Sequence, residues 1–402
     1  MPVRRHRSRA VLAALLASLL AGPGPARANW VASWAAAPAL LASPSLRATT
    51  VRQSLRLSLG GPQLRVRFSN ETGTRAMTVG GAHIALPGAA PGSVDPATDR
   101  ALTFGGASTA AIPPGAPLLS DPVDLPVAAL STVVITALVD GAEAKQVGHD
   151  QGGETAFLLP GDHLGDATFK GATTATSRYA LSGVEVNVPG QTAAAVGALG
   201  DSTTDGVGST PDRDRRWTDR LAERLVARTG AAIPAVVNLG LAGNTVTGGT
   251  PFDTFGEGAL ARLDRDGLSR PGLRWLVLLE GLNDVMFTAS PGTVAADLIA
   301  ADRQIIARAH ERGILVVGGT LTPFGGTGQV AATPAREAAR QAVNAWIRTG
   351  GAFDATVDFD AALRDPARTT QLRATFDSGD HLHPSDAGYR AMGDAVPLDL
   401  FK

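Results

Sequence analysis

The chain has 402 residues, 44% hydrophobic and 18% charged, a length and balance that suit one large domain or two ordinary ones. Its formal net charge is −1, and past the arginines of the amino terminus no long run of one sign occurs, which argues against nucleic acid and acidic membrane surfaces as partners. Cysteine is absent, which excludes disulfides, a lipid-modified cysteine anchor, thiolate metal sites and a cysteine nucleophile.

Residues 1–28 read as a secretory signal. Arg4, Arg5, Arg7 and Arg9 form a basic region, Ala10 to Ala21 is an apolar run too short to span a bilayer, and Ala26-Arg27-Ala28 supplies a small-x-small cleavage site. The mature protein is expected to begin at Asn29 and to lie outside the cytoplasm, secreted or periplasmic. No other stretch of 18 apolar residues occurs, so no stable membrane insertion is expected.

Residues 29–190 read as a β-rich, sandwich-like domain. Val51 to Leu59 alternates strictly, and Leu64, Val66 and Phe68 repeat the pattern after Gly60-Gly61-Pro62-Gln63. This pairing predicts a hairpin with one wet face. Thr132 to Val139 predicts a more buried strand, and Pro87 to Pro117 a loop-rich stretch. Across residues 191–402 the rhythm changes to strand, helix, strand. Candidate strands are residues 194–199, 235–239, 275–279, 314–318 and 355–359, short continuous apolar runs of the kind covered on both faces. Trp217, Leu221 and Leu225 mark one helix, Val294 to Ala309 a second that ends at Gly313, and Thr333-Pro334 opens a third that stops at Gly350. Alternation at this spacing predicts a doubly wound parallel sheet with helices on both faces.

The first of these strands ends in Gly200-Asp201-Ser202. Ser202 there is either a nucleophile presented at a strand's carboxyl end or the cap of the next helix. A nucleophile needs a base and a group that orients the base. Among seven histidines, His381 and His383 stand in the turn Asp380-His381-Leu382-His383-Pro384, where the i, i+3 spacing lets Asp380 meet His383. The same turn also reads as a plain helix start or, without further ligands, a metal site. Acyl transfer further requires donors for an oxyanion. The Gly243 N–H and the Asn283 side-chain amide stand at the ends of the second and third strands, in stretches that also suit ordinary turns.

Taken together, these four blocks resemble the SGNH hydrolases, also called GDSL esterases and lipases. The first block, Gly-Asp-Ser-x-Thr-x-Gly, is complete as residues 200–206; Gly243, Asn283 and Asp380/His383 match the second, third and last, in order, within residues 194–402. The resemblance implies a three-layer α/β/α, flavodoxin-like domain and a serine esterase. Ser202 would be the nucleophile, His383 the general base, Asp380 its orienting partner, and the Ser202 and Gly243 amides with the Asn283 side chain the oxyanion hole. It implies no cofactor and no metal. An α/β-hydrolase reading fails because no Gly-x-Ser-x-Gly occurs. Trp30 to Trp34, Arg216-Trp217, Gly319 to Pro323 and Arg340 to Trp346 are similar to a secreted bacterial branch associated with acetylated polysaccharides such as xylan. The expected substrate is therefore a small-molecule or polysaccharide acyl ester. The alternatives are a lipase, lysophospholipase or thioesterase with the same residues, or a non-catalytic carbohydrate-binding protein.

Overall fold

The computed structural model describes Met1 and residues 28–141, 144–190, 193–228, 233–248 and 256–402. The secretory-signal expectation falls almost wholly on residues 2–27 and lies outside the described residues. No helix among the described residues is long and apolar enough to cross a membrane.

Five parallel strands form the sheet of the carboxyl-terminal half: β1 (Ala195–Gly200), β2 (Ala235–Gly240), β3 (Leu273–Leu279), β4 (Leu315–Gly319) and β5 (Ala355–Val357). Their order is β2-β1-β3-β4-β5, the flavodoxin-like doubly wound arrangement, in which the strand order reverses beside β1. Each strand is apolar on both faces because each face is covered. On one side Leu199, Leu239, Leu276 and Val316 pack against helices α2 (Val294–His310) and α3 (Pro334–Thr349). On the other, Val196, Val236, Val277 and Val317 meet α1 (Trp217–Ala227) and α4 (Asp386–Ala395). The helix starts follow local chemistry: Thr333 caps α3 by accepting from the Arg336 N–H with Pro334 in the first turn, and Ser385 caps α4 by accepting from the Gly388 N–H.

The β-rich half is built from antiparallel sheets. In one, residues 30–35, 181–187, 61–69 and 117–119 lie side by side, with 123–127 also paired to 61–69. In another the order is 173–175, 156–160, 49–56, 132–141, 77–85, 100–101. A third, smaller sheet joins 178–179, 145–149 and 39–44. Leu64, Val66, Phe68 and Val186 of the first sheet share an apolar core with Leu55, Val79, Ile84, Val133 and Ile135 of the second.

The hairpin expected from Val51 to Phe68 does not form. Residues 49–56 pair with 132–141 and 156–160, whereas 61–69 pair with 181–187 in the opposite sheet. The chain crosses between sheets at Gly60, where a Cβ would lie 2.3 Å from the Val127 carbonyl oxygen, so the crossing is tight enough to require glycine. The expected wet face is also absent at its centre. Arg52 is buried and donates to Thr136 Oγ1 and to the Gly92 and Ala167 carbonyls, and burial lowers its pKa to about 10. Alternation marks a strand without naming its neighbour.

The two halves are packed together. Ala195 and Ala235, at the starts of β1 and β2, belong to the sandwich core, and Ala32 and Ala35 belong to the core beneath α2. The Ala32 N–H donates to the Pro271 carbonyl, and the Val236 N–H to Ser58 Oγ, each 2.9 Å.

Candidate active site

The loops leaving the carboxyl ends of β1, β2 and β3 collect beside the point where the strand order reverses, the position at which open parallel sheets keep their ligand sites. Asp201 follows β1, and its side chain accepts the Thr203 N–H at 2.8 Å, capping the one-turn helix Ser202–Asp205. The cap is therefore Asp201, and Ser202 is the first helical residue.

His383 Nε2 lies 2.8 Å from Ser202 Oγ, and His383 Nδ1 lies 2.5 Å from Asp380 Oδ2. Asp380 Oδ1 accepts the Leu382 and His383 N–H groups and the Ser378 hydroxyl, at 2.9, 2.8 and 3.0 Å. Partial burial works to raise the Asp380 pKa, but these donors, led by the His383 ring, hold the carboxyl well below the usual range. The loop that follows the Ser202–Asp205 turn is tied to α4: Tyr389 donates its hydroxyl to the Val207 carbonyl, and Thr210 donates to Asp386 from both its N–H and its hydroxyl. His381 points elsewhere. Its backbone has φ +62°, its Nδ1 lies 2.5 Å from Asp377 Oδ2, and its side chain is 58% exposed.

The donor candidates stand on the next two loops. Gly243 has φ +76°, a left-handed conformation that glycine adopts without strain. Asn283 is buried and its side-chain amide donates to the Asn244 carbonyl at 2.7 Å, tying the β3 loop to the β2 loop and leaving one amide hydrogen over. Among the described residues, neither the Ser202 N–H nor the Gly243 N–H donates to another protein group. Of the five residues singled out from sequence, Ser202, His383 and Asp380 are joined in one hydrogen-bonded chain. Gly243 and Asn283 are joined to each other's loops but not to Ser202.

Residues 198–391 match the GDSL-like Lipase/Acylhydrolase family. This stretch is a GDSL-like lipase/acylhydrolase domain. The chemistry of that domain is carboxylic ester hydrolysis. No curated protein matches the chain. Solved structures similar to it include an aryl esterase from M. smegmatis, at 19% identity over 52% of this chain and 98% of that one, with a TM-score of 0.40. A carbohydrate acetylesterase from Sinorhizobium meliloti matches at 17% identity, covering 52% and 98%, with a TM-score of 0.40. An acetylxylan esterase from Geobacillus stearothermophilus matches at 20% identity, covering 50% and 91%, with a TM-score of 0.37.

The GDSL domain holds its loops with buried groups that no sequence block marks. Arg262 is fully buried and donates to the carbonyls of Gly200 and Leu239 and to Asn244 Oδ1, at 3.1, 2.9 and 2.8 Å. One guanidinium thus ties the ends of β1 and β2 to the β2 loop. Its charge faces Asp266 at 3.3 Å and Glu280, at the end of β3, at 3.5 Å. Burial and the neighbouring Asp201 push the Glu280 carboxyl well above its ordinary value, and burial raises Asp201 to about 6. The only hint of Arg262 in the sequence is an arginine set among apolar residues, which is not distinctive.

A cavity of about 240 Å³ adjoins the β2 loop. Ala39, Leu40 and Ala42 of the β-rich half form one wall, Leu241 and Ala242 of the GDSL domain another, and Lys145 and Asp205 give it polar edges.

Proposed function

We propose that this protein is a secreted esterase that removes small acyl groups, with acetyl esters of carbohydrates as its substrates. In this reading Ser202 is the nucleophile, His383 the base, Asp380 the orienting carboxylate, and Ser202 N–H, Gly243 N–H and the Asn283 amide the oxyanion donors. The observation that carries it is the relay in which His383 lies 2.8 Å from Ser202 Oγ through Nε2 and 2.5 Å from Asp380 through Nδ1. An ionised carboxylate only accepts, so it keeps the proton on Nδ1 and leaves the Nε2 lone pair for the serine hydroxyl.

The chemistry follows from that tautomer. Ser202 Oγ attacks the ester carbonyl carbon while its proton passes to His383 Nε2, and the carbonyl oxygen gains negative charge opposite the backbone and amide donors. Collapse expels the alcohol, which takes the proton from His383. Water then attacks the acyl-serine, His383 takes a proton from it, and the acid leaves as Ser202 regains its hydrogen. Asp380, held ionised, stabilises the imidazolium in both halves.

Ser202→Ala tests the reading. It is expected to keep the wild-type unfolding temperature and to lose p-nitrophenyl acetate hydrolysis; full activity would overturn the nucleophile. Hydrolysis of p-nitrophenyl esters from acetate to palmitate, followed by acetate release from acetylated xylan, tests the substrate. Faster turnover of the long chains would replace the small-acyl reading with a lipase.

A further inference from the structure

We propose that His149, in the β-rich half, is a positioning residue for ester hydrolysis: through Asp205 it holds the loop that presents the Gly243 amide. The inference rests on the assignment of Ser202 and Gly243 given above.

His149 ends the strand Lys145–His149, outside the matched family region, and is almost fully buried. Its Nδ1 lies 2.9 Å from the Ala37 carbonyl oxygen and its Nε2 lies 2.9 Å from Asp205 Oδ1. A carbonyl oxygen only accepts, so Nδ1 carries a hydrogen. An ionised carboxylate only accepts, so Nε2 carries one as well. With a carboxylate at Asp205 the ring is an imidazolium in this proposal, and the contact is a buried ion pair between the two halves. Burial opposes the charge, but the Asp205 carboxylate and the Ala37 carbonyl outweigh it, so the His149 pKa is raised. The other charged groups around this junction are Arg216 and Asp219 at the head of α1, Arg178 on the paired strand and Arg56, which line the same small cavity.

Asp205 lies three residues after Ser202, at one of the open positions of the Gly-Asp-Ser block. While Oδ1 faces His149, Oδ2 accepts the Ala242 N–H at 2.9 Å. Ala242 immediately precedes Gly243. The turn carrying Ser202 and the loop carrying Gly243 are also in close contact, since a Cβ at Gly240 would lie 2.2 Å from the Asp205 nitrogen. One carboxylate thus fixes the β2 loop on one side and is itself fixed from the β-rich half on the other. An apolar contact could join two packed domains at less desolvation cost. It could not orient a carboxylate toward a particular amide.

Loss of the imidazolium would leave Asp205 free to turn, and the Ala242–Gly243 peptide with it. Small displacements of an oxyanion donor reduce turnover more than ground-state binding. His149→Gln is therefore expected to lower kcat for p-nitrophenyl acetate by about tenfold or more while KM moves by less than about threefold. Wild-type kcat should also fall at alkaline pH as His149 loses its proton, a limb that should vanish in His149→Gln while the acid limb remains. Asp205→Asn should repeat the kcat loss, and the double variant should lose little more than either single one. A kcat within about twofold of wild type with the alkaline limb intact would overturn the positioning role. Ser202→Ala assayed alongside separates the two assignments. An active Ser202→Ala removes the nucleophile and this inference together, whereas an inactive one beside an unaltered His149→Gln removes this inference alone. If His149→Gln does not fold, nitrogen-15 spectra of the wild-type histidines decide: both His149 nitrogens should be protonated at neutral pH, and a neutral ring would overturn the proposal.

Discussion

All six histidines of the described residues sit against an aspartate. In the β-rich half His83 meets Asp99, His149 meets Asp205 and His163 meets Asp166; in the parallel-sheet half His310 meets Asp354, His381 meets Asp377 and His383 meets Asp380. The pair itself therefore says nothing about chemistry. What separates His149 in the first region from His383 in the second is the other ring nitrogen. His149 and His163 each turn their second nitrogen to a carbonyl oxygen. His383 directs its second nitrogen to the Ser202 hydroxyl. One arrangement builds a joint; the other is poised to move a proton.

The comparison can be broken at its strongest point first. His383→Gln should lower kcat/KM by about 10⁴-fold with the fold intact, measured against p-nitrophenyl acetate and by thermal unfolding. A drop below tenfold would mean that the nitrogen facing Ser202 is not the base. Asn283→Ala should cost about 10²–10³-fold in kcat, the scale of one oxyanion donor, and an unchanged kcat would restrict Asn283 to tying the β2 and β3 loops.

Arg262→Met removes the partner of Glu280 and Asp266 and should destabilise the protein by about 3–5 kcal/mol in urea unfolding, because buried carboxylates are left without their cation. Next comes pH. Asp380 has a lowered pKa, so its contribution to stability is present above the unfolded value of about 3.9 and is lost as pH falls through the folded one. His149 has a raised pKa, so its contribution is full below the unfolded value of about 6.5 and is lost as pH rises through the folded one. Unfolding midpoints followed across pH should thus fall below wild type in both variants at about pH 5, with the acid-side decline flattened in Asp380→Asn and the alkaline-side decline flattened in His149→Gln. The smallest effect is expected at His381, whose ring is mostly exposed: His381→Gln should stay within about twofold of wild type in kcat/KM.

The parallel sheet was largely legible in the sequence. Continuous apolar runs located all five strands to within a residue or two at most ends, and the Thr333-Pro334 and Gly350 punctuation bracketed α3, because these signals act over a few neighbouring residues. The order of the candidate site blocks along the chain was legible for the same reason. The partners were not. Nothing in Val51 to Phe68 says that the two runs enter different sheets, since pairing is decided by surfaces brought from residues 132–141 and 181–187. Arg262 and His149 were missed on similar grounds. A buried cation is recognised by the acceptors that surround it, and those of His149 lie 112 and 56 residues away. The exchange of Asp201 for Ser202 as the helix cap is a one-residue refinement within a stretch already read correctly as a strand-to-helix turn.

The strand Trp30–Ala35 pairs along Leu181–Asn187 and reaches on to Pro271. Translation delivers about 5–20 residues each second, so this strand waits many seconds for a neighbour, and its last hydrogen-bond partner belongs to the second half of the chain. The first strand among the described residues therefore has a partner, Pro271, about 240 residues further along the chain. Contacts that distant in sequence also close slowly from the unfolded state. The Ala32 N–H can be satisfied by Pro271 only after most of the chain has been made, so the seam between the halves closes late in synthesis at this bond.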